Sequence, residues 1–141
     1  MNFVSEEIEK YSTIHSESES ELLKKLYRET HLNVLNPRMI SGPLQGRILS
    51  FISKIINPNK ILEIGTFTGY STLCLAEGLK KNGTIQTIEK NDELIEIQNK
   101  YFEKSSYRKN IFQLTGNALQ ILPTLNEKYD LIFLDADKKN Y

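Results

Sequence analysis

Residues 61 to 71 read Ile61-Leu62-Glu63-Ile64-Gly65-Thr66-Phe67-Thr68-Gly69-Tyr70-Ser71. The first four form a short apolar run of the kind a buried strand needs, and a helical apolar pattern follows from Ser71 to Leu79. Between them two glycines allow a sharp turn and let a ligand approach the backbone closely. The free amides at the start of the following helix, with the Ser71 hydroxyl, suit an oxyanion. The spacing is Gly-x-x-x-Gly, without the third glycine of a dinucleotide fingerprint and without the lysine that closes a P-loop. No Lys or Arg lies between Lys60 and Lys80. Pyrophosphate ligands are therefore disfavoured.

Outward from this turn the rhythm repeats. Apolar runs at Thr84 to Ile88, Ile111 to Thr115 and Leu131 to Leu134 alternate with helical patterns at Asp92 to Phe102 and Ala118 to Leu125. Strands alternating with helices of this length imply an α/β fold, a Rossmann-like doubly wound and mostly parallel sheet with right-handed crossovers, of which four strands are present. Residues 1–57 read instead as an N-terminal helical region, leaving 58–141 as the α/β part. Ser16 or Ser18 can cap a helix with Glu19 or Glu21 as box partner, placing Leu22, Leu23, Leu26 and Tyr27 on one stripe. After Asn36-Pro37 and Ser41-Gly42-Pro43, a second apolar stripe of Leu44, Ile48, Leu49, Ile52, Ile55 and Ile56 ends at Asn57-Pro58. The last strand, Leu131 to Leu134, is followed by only seven residues, so an exposed edge is expected, and the chain reads as a fragment of a larger sheet.

The chain has 141 residues, 39% hydrophobic and 26% charged, which fits one soluble globular domain and excludes disordered and disulfide-scaffold classes. Eighteen Lys and Arg balance eighteen Asp and Glu, which argues against a strongly basic nucleic-acid or membrane-surface binder. One cysteine, Cys74, allows no internal disulfide and reads as a small hydrophobe in a packed helix. With no basic-then-apolar leader at the N-terminus and no apolar run of spanning length, a cytoplasmic location and no membrane partner are expected. His15 and His31 stand without partners at ligand spacing, and Arg28, Arg38 and Arg47 could help bind an anionic substrate but read more simply as solvated.

Two strand ends carry the chemistry, because open α/β sheets bind ligands beyond their carboxyl ends. Glu89 ends the second strand about 20 residues beyond the glycine turn, the usual place for an acceptor of ribose hydroxyls. Taken alone it could be a solvated helix-start acid before Asn91-Asp92, and its combination with the glycine turn is what favours a ligand. Acids near the turn suit a cation, and a ribose, a cationic group and an amino-acid carboxylate together describe S-adenosylmethionine. Asp135 and Asp137, two apart at the end of the fourth strand, leave on one side if the backbone stays extended and can hold a hard divalent ion such as Mg2+.

The stretches ILEIGTFTGYS at 61–71, IEK at 88–90, Gly116-Asn117-Ala118 and LDADKKNY at 134–141 resemble the cation-dependent O-methyltransferases of the catechol and caffeoyl-coenzyme A type, and residues 28–47 resemble the helical N-terminal region of bacterial members. The resemblance implies donor contacts at Glu63, Gly65, Thr66, Ser71 and Glu89, and adds Ser41, Ala118 and Asp137. It implies a metal at Asp135 and a general base at Lys138. Ser41 read by itself is equally the N-cap of the following helix, and Ala118 is equally ordinary helix packing. The implied acceptor is a small hydroxylated aromatic, with a hydroxyuridine of tRNA as the alternative. A third reading is a donor-binding fragment without turnover, since the resemblance leads one to expect a further Asp-Asn pair at the metal and nothing here replaces it. Relatives of this type also imply a homodimer.

Overall fold

The computed structural model describes residues 4–136 and 138–140. Four strands, β1 (Lys60–Ile64), β2 (Thr84–Glu89), β3 (Ile111–Thr115) and β4 (Leu131–Leu134), form one sheet in the order β3-β2-β1-β4, with every neighbouring pair parallel. The strand runs read from the sequence agree with these bounds to within one residue. The order reverses between β1 and β4. That reversal is the switch point where a crevice opens at the strand ends.

Helices α1 (Glu6–Ile14), α2 (Glu21–Asn33) and α3 (Pro43–Ile56) precede the sheet, while α4 (Tyr70–Ala76), α5 (Ile95–Lys104) and α6 (Ala118–Ile121) connect its strands. Alternation along each strand sorts the two faces. Ile61, Ile85 and Ile111 pack with Leu23 and Leu26 of α2, Leu49 of α3, Leu73 and Cys74 of α4 and Tyr101 and Phe102 of α5. Leu62, Ile64 and Ile88 face the other way, against Ala118 and Ile121 of α6 and Leu122 and Leu125 beyond it. The helical region and the sheet therefore share a core.

Several boundaries differ from the sequence reading for local reasons. The cap of α2 is Ser20, whose hydroxyl accepts from the Leu23 N–H at 3.2 Å, in place of Ser16 or Ser18. Helix α4 stops at Ala76, just before Gly78, where a Cβ would collide with the Ser53–Lys54 backbone of α3. The pattern at 92–102 opens as a single 3-10 turn, Asp92–Leu94, capped by Asn91. The pattern at 118–125 gives way to another such turn at Leu122–Thr124, because Pro123 lacks the N–H that an α-helix would use.

Helix α3 buries a different face from the one its apolar stripe predicts. Of its apolar stripe only Leu49 is buried, and Ile48, Ile52, Ile55 and Ile56 are exposed together with Phe51. The face turned to α4 is small and polar: Gly46, Arg47, Ser50 and Ser53. A Cβ at Gly46 would press on the Tyr70 ring and the Cys74 sulfur, so this close approach requires glycine. Arg47, expected to be solvated, has a side chain only 8% exposed and reaches Glu77 with both terminal nitrogens, at 2.9 and 2.8 Å. Ser50 donates to the same carboxylate at 2.5 Å. Helix packing here follows charge pairing and close approach, which an apolar-periodicity reading does not register.

Candidate donor-binding site

The glycine turn is built by steric necessity. Gly65 has φ +103°, and a Cβ there would collide with the backbone carbonyl of Asp135, so the turn crosses directly under the end of β4. The amides of Gly65 and Thr66 donate to the Ile88 carbonyl at 2.9 and 3.2 Å, and the Asp135 amide donates to the Ile64 carbonyl at 3.0 Å. Gly69, at φ +93°, lies against the Phe102 ring, where a side chain would not fit. These contacts bring the ends of β1, β2 and β4 to one place.

Beneath the turn lies a fully buried acid. Glu63 is 0% exposed and accepts from Ser71 at 2.5 Å, from Thr87 at 2.6 Å and from Thr72. The Thr66 and Thr87 hydroxyls are themselves bonded at 2.5 Å. Burial pushes the Glu63 carboxyl up to about 7; the three hydroxyls pull the other way without cancelling it, and Asp135 adds a smaller upward push. Glu63 is expected from the resemblance at the donor itself, but the structure places it under the turn and outside the cavity lining. It joins β1, β2 and the first turn of α4.

Above the turn opens a cavity of about 1450 Å³. It is lined by Ser41, Gly65, Thr66, Ser71, Glu89 and Ala118, and by Asp135 and Lys138 at the end of β4. Eight of the expected site residues thus share one cavity. Asp137 lies outside the described residues. Ser41 is 6% exposed and is not a cap, since Gly42 holds the N-cap position of α3 with Pro43 behind it. Ala118 opens α6, whose cap Asn117 accepts from the Leu119 N–H at 2.9 Å. Glu89 is half-buried: one oxygen accepts from the Phe67 amide at 2.7 Å and the other from the Asn91 amide at 3.0 Å. Each oxygen keeps a lone pair for a further donor.

With that geometry in view, the sequence profile of the O-methyltransferase family matches residues 13–141. The chain belongs to the O-methyltransferase family. Among its relatives in that family, a catechol O-methyltransferase of Niastella koreensis is 35% identical over 109 residues, covering 74% of this chain and 49% of the relative. A caffeoyl-CoA O-methyltransferase of Petunia hybrida is 37% identical over 129 residues, covering 87% and 53%. The chain spans about half the length of these curated relatives. The S-adenosylhomocysteine-bound methyltransferase PaMTH1 of Podospora anserina superposes with a TM-score of 0.91 at 29% identity, over 100% of this chain and 62% of that one. The O-methyltransferase TomG of Streptomyces achromogenes, solved in complex with S-adenosylmethionine, gives 0.84 at 31% identity, over 93% and 60%.

Within this O-methyltransferase fold, the cavity extends past the turn to residues outside the expected site, Arg38 among them. Asn33 at the end of α2 and Leu35, Asn36, Arg38 and Met39 between α2 and α3 form part of its wall, as do Ile97 and Lys100 of α5. Asn36 takes a left-handed conformation at φ +55° ahead of Pro37, and the Asn-Pro break was the available signal. Thr30 of α2 donates to the Leu26 carbonyl at 2.8 Å and is 3.1 Å from the Thr68 hydroxyl, tying the helical region to the turn; nothing in the sequence pattern marked it. Glu29 accepts from Lys100 at 2.7 Å and from the Tyr101 hydroxyl at 2.6 Å, and these donors hold its carboxyl below the usual range. Cys74 is buried, and burial pushes its thiol up to about 12, in keeping with a packing role. The side chains of His15 and His31 each bond a carbonyl four residues earlier on exposed helix faces. Among the described residues, no three His, Cys, Asp or Glu side chains gather as a metal-ligand set, and no helix is long and apolar enough to cross a membrane.

Proposed function

We propose that the chain binds S-adenosylmethionine above the Gly65–Gly69 turn and serves methyl transfer to a hydroxyl oxygen of a small catechol-like aromatic. The observation that carries this reading is the half-buried Glu89 carboxylate facing the cavity beside a glycine turn that has no basic residue. Such a carboxylate takes two ribose hydroxyls and repels phosphate. Solved relatives with bound S-adenosylmethionine or S-adenosylhomocysteine support the choice of donor.

In this reading the cavity walls hold the donor's sulfonium opposite the acceptor oxygen. The oxygen lone pair forms the new C–O bond as the methyl–sulfur bond breaks, and the sulfur leaves as a neutral thioether. Lys138, which lines the cavity, is in this reading the base that takes the acceptor's proton. Alignment supplies much of the acceleration, because displacement at a methyl carbon depends on in-line geometry. The exposed Asp135 carboxylate suits a hard cation in kind, and Mg2+ accepts one or two carboxylates with water completing its shell. A cation held there would lower the pKa of the acceptor hydroxyl.

Incubation of the chain with S-adenosylmethionine, catechol and Mg2+, followed by chromatography, tests the transfer. The expected result is a methylated catechol whose formation EDTA suppresses and which falls by about a hundredfold or more in Lys138→Met, the usual span for losing a general base. Product formation indifferent to EDTA would remove the cation from the reading. Donor binding without any methylated product would leave a donor-binding chain and remove the transfer. A parallel arm with bulk tRNA tests the second acceptor class, for which the basic side chains Arg38, Lys90, Lys138 and Lys139 around the cavity speak.

A further inference from the structure

Phe67, in the middle of the glycine turn, has φ +50° although it is not glycine. A bulky side chain in that left-handed region is strained and persists only where its surroundings hold it. The Phe67 peptide groups are held from both sides. The Phe67 amide donates to Glu89 at 2.7 Å, and the Phe67 carbonyl accepts from the side-chain amide of Gln98 at 2.6 Å. Gln98 belongs to α5, is 2% exposed and does not line the cavity. Its own carbonyl oxygen accepts from Gln113 of β3 at 2.9 Å. A continuous chain therefore runs from Gln113 through Gln98 and the Phe67 backbone to the Glu89 carboxylate.

We propose that Gln98 is a positioning residue for nucleoside binding: it locks Phe67 in its left-handed conformation, and the Phe67 amide in turn aims Glu89 into the cavity. The role rests on the donor reading given above. Without the Gln98 amide, Phe67 relaxes towards a negative φ, its N–H swings away and Glu89 loses the bond that orients it. A glycine at 67 would adopt the observed φ without strain, so the clamp would matter far less there.

Calorimetric titration with S-adenosylhomocysteine of the wild type, Gln98→Met, Phe67→Gly and the double variant tests this. The expected result is affinity weakened about tenfold by Gln98→Met in the wild-type background, the size of one lost buried hydrogen bond, and at most about twofold in the Phe67→Gly background. If Gln98→Met does not fold, Gln113→Leu cuts the chain one link earlier and is expected to weaken binding about threefold, by the loss of part of one hydrogen bond. Wild-type affinity in Gln98→Met, or in Gln113→Leu where that variant stands in, overturns the proposal. Equal weakening by Gln98→Met in both backgrounds also overturns it, since loss of packing alone would be indifferent to the residue at 67. A wild-type chain silent towards S-adenosylhomocysteine overturns the donor reading, and with it this role.

Discussion

Glu63 lies under the cavity, outside its lining, and ties together the elements that form it. A carboxylate at 0% exposure is costly unless hydrogen-bonded, and Ser71, Thr72 and Thr87 supply the donors from two elements. Because its carboxyl titrates near 7 in the fold and near 4.5 when solvated, the folded chain binds the extra proton between those values. Glu63 therefore contributes stability below about pH 4.5 that is lost as pH rises towards 7, a change on the order of 3 kcal/mol. Glu17, Glu29 and Asp130 act in the opposite sense, because lysine or backbone partners lower their pKa and their contribution is lost as pH falls below the ordinary carboxylate range. Urea unfolding from pH 2 to 8 checks this. The Glu63→Gln variant is expected to flatten the decline between pH 5 and 7 and leave the acid limb in place. A decline of unchanged slope in that variant would assign it to other groups.

At the scale of elements, apolar periodicity gave the strands almost to the residue but misjudged which face of α3 is buried. Short β-branched and apolar runs bounded by turn residues mark strands, so Leu131 to Leu134 and Ile111 to Thr115 needed no tertiary information, although both lie at the ends of the sheet and are only partly buried. Helix α3 is seated by Gly46 against Tyr70 and by Arg47 against Glu77, contacts thirty or fewer residues apart in sequence that no local window contains. The stability of variants should follow the structure. Phe51→Lys and Ile55→Lys are each expected to change unfolding free energy by less than about 0.5 kcal/mol, while Leu49→Ala costs about 2 to 4 kcal/mol. Chemical denaturation of the three variants decides this, and a large loss in Ile55→Lys would show that the outward face of α3 is covered.

For the molecule as a whole, the doubly wound order β3-β2-β1-β4 places its switch point at Gly65 and Asp135, and that crossing makes the crevice. Much of the crevice was legible in sequence, because Gly65, Thr66, Ser71 and Glu89 lie on one βαβ unit at fixed spacing. The supporting network was not, since Gln98, Thr30 and Thr87 meet the turn only after α2, α5 and β2 have packed. Among the described residues β4 is an end strand of the sheet, and its Ile132 and Leu134 side chains are exposed. The central claim is that the crevice takes a sulfonium nucleoside by its ribose and not a nucleotide by its phosphates. Calorimetric titration of the wild-type chain with S-adenosylhomocysteine, ATP and NAD measures this most directly. Saturable heat with S-adenosylhomocysteine and none with ATP or NAD is the predicted result, and heat with either nucleotide but none with S-adenosylhomocysteine would contradict it.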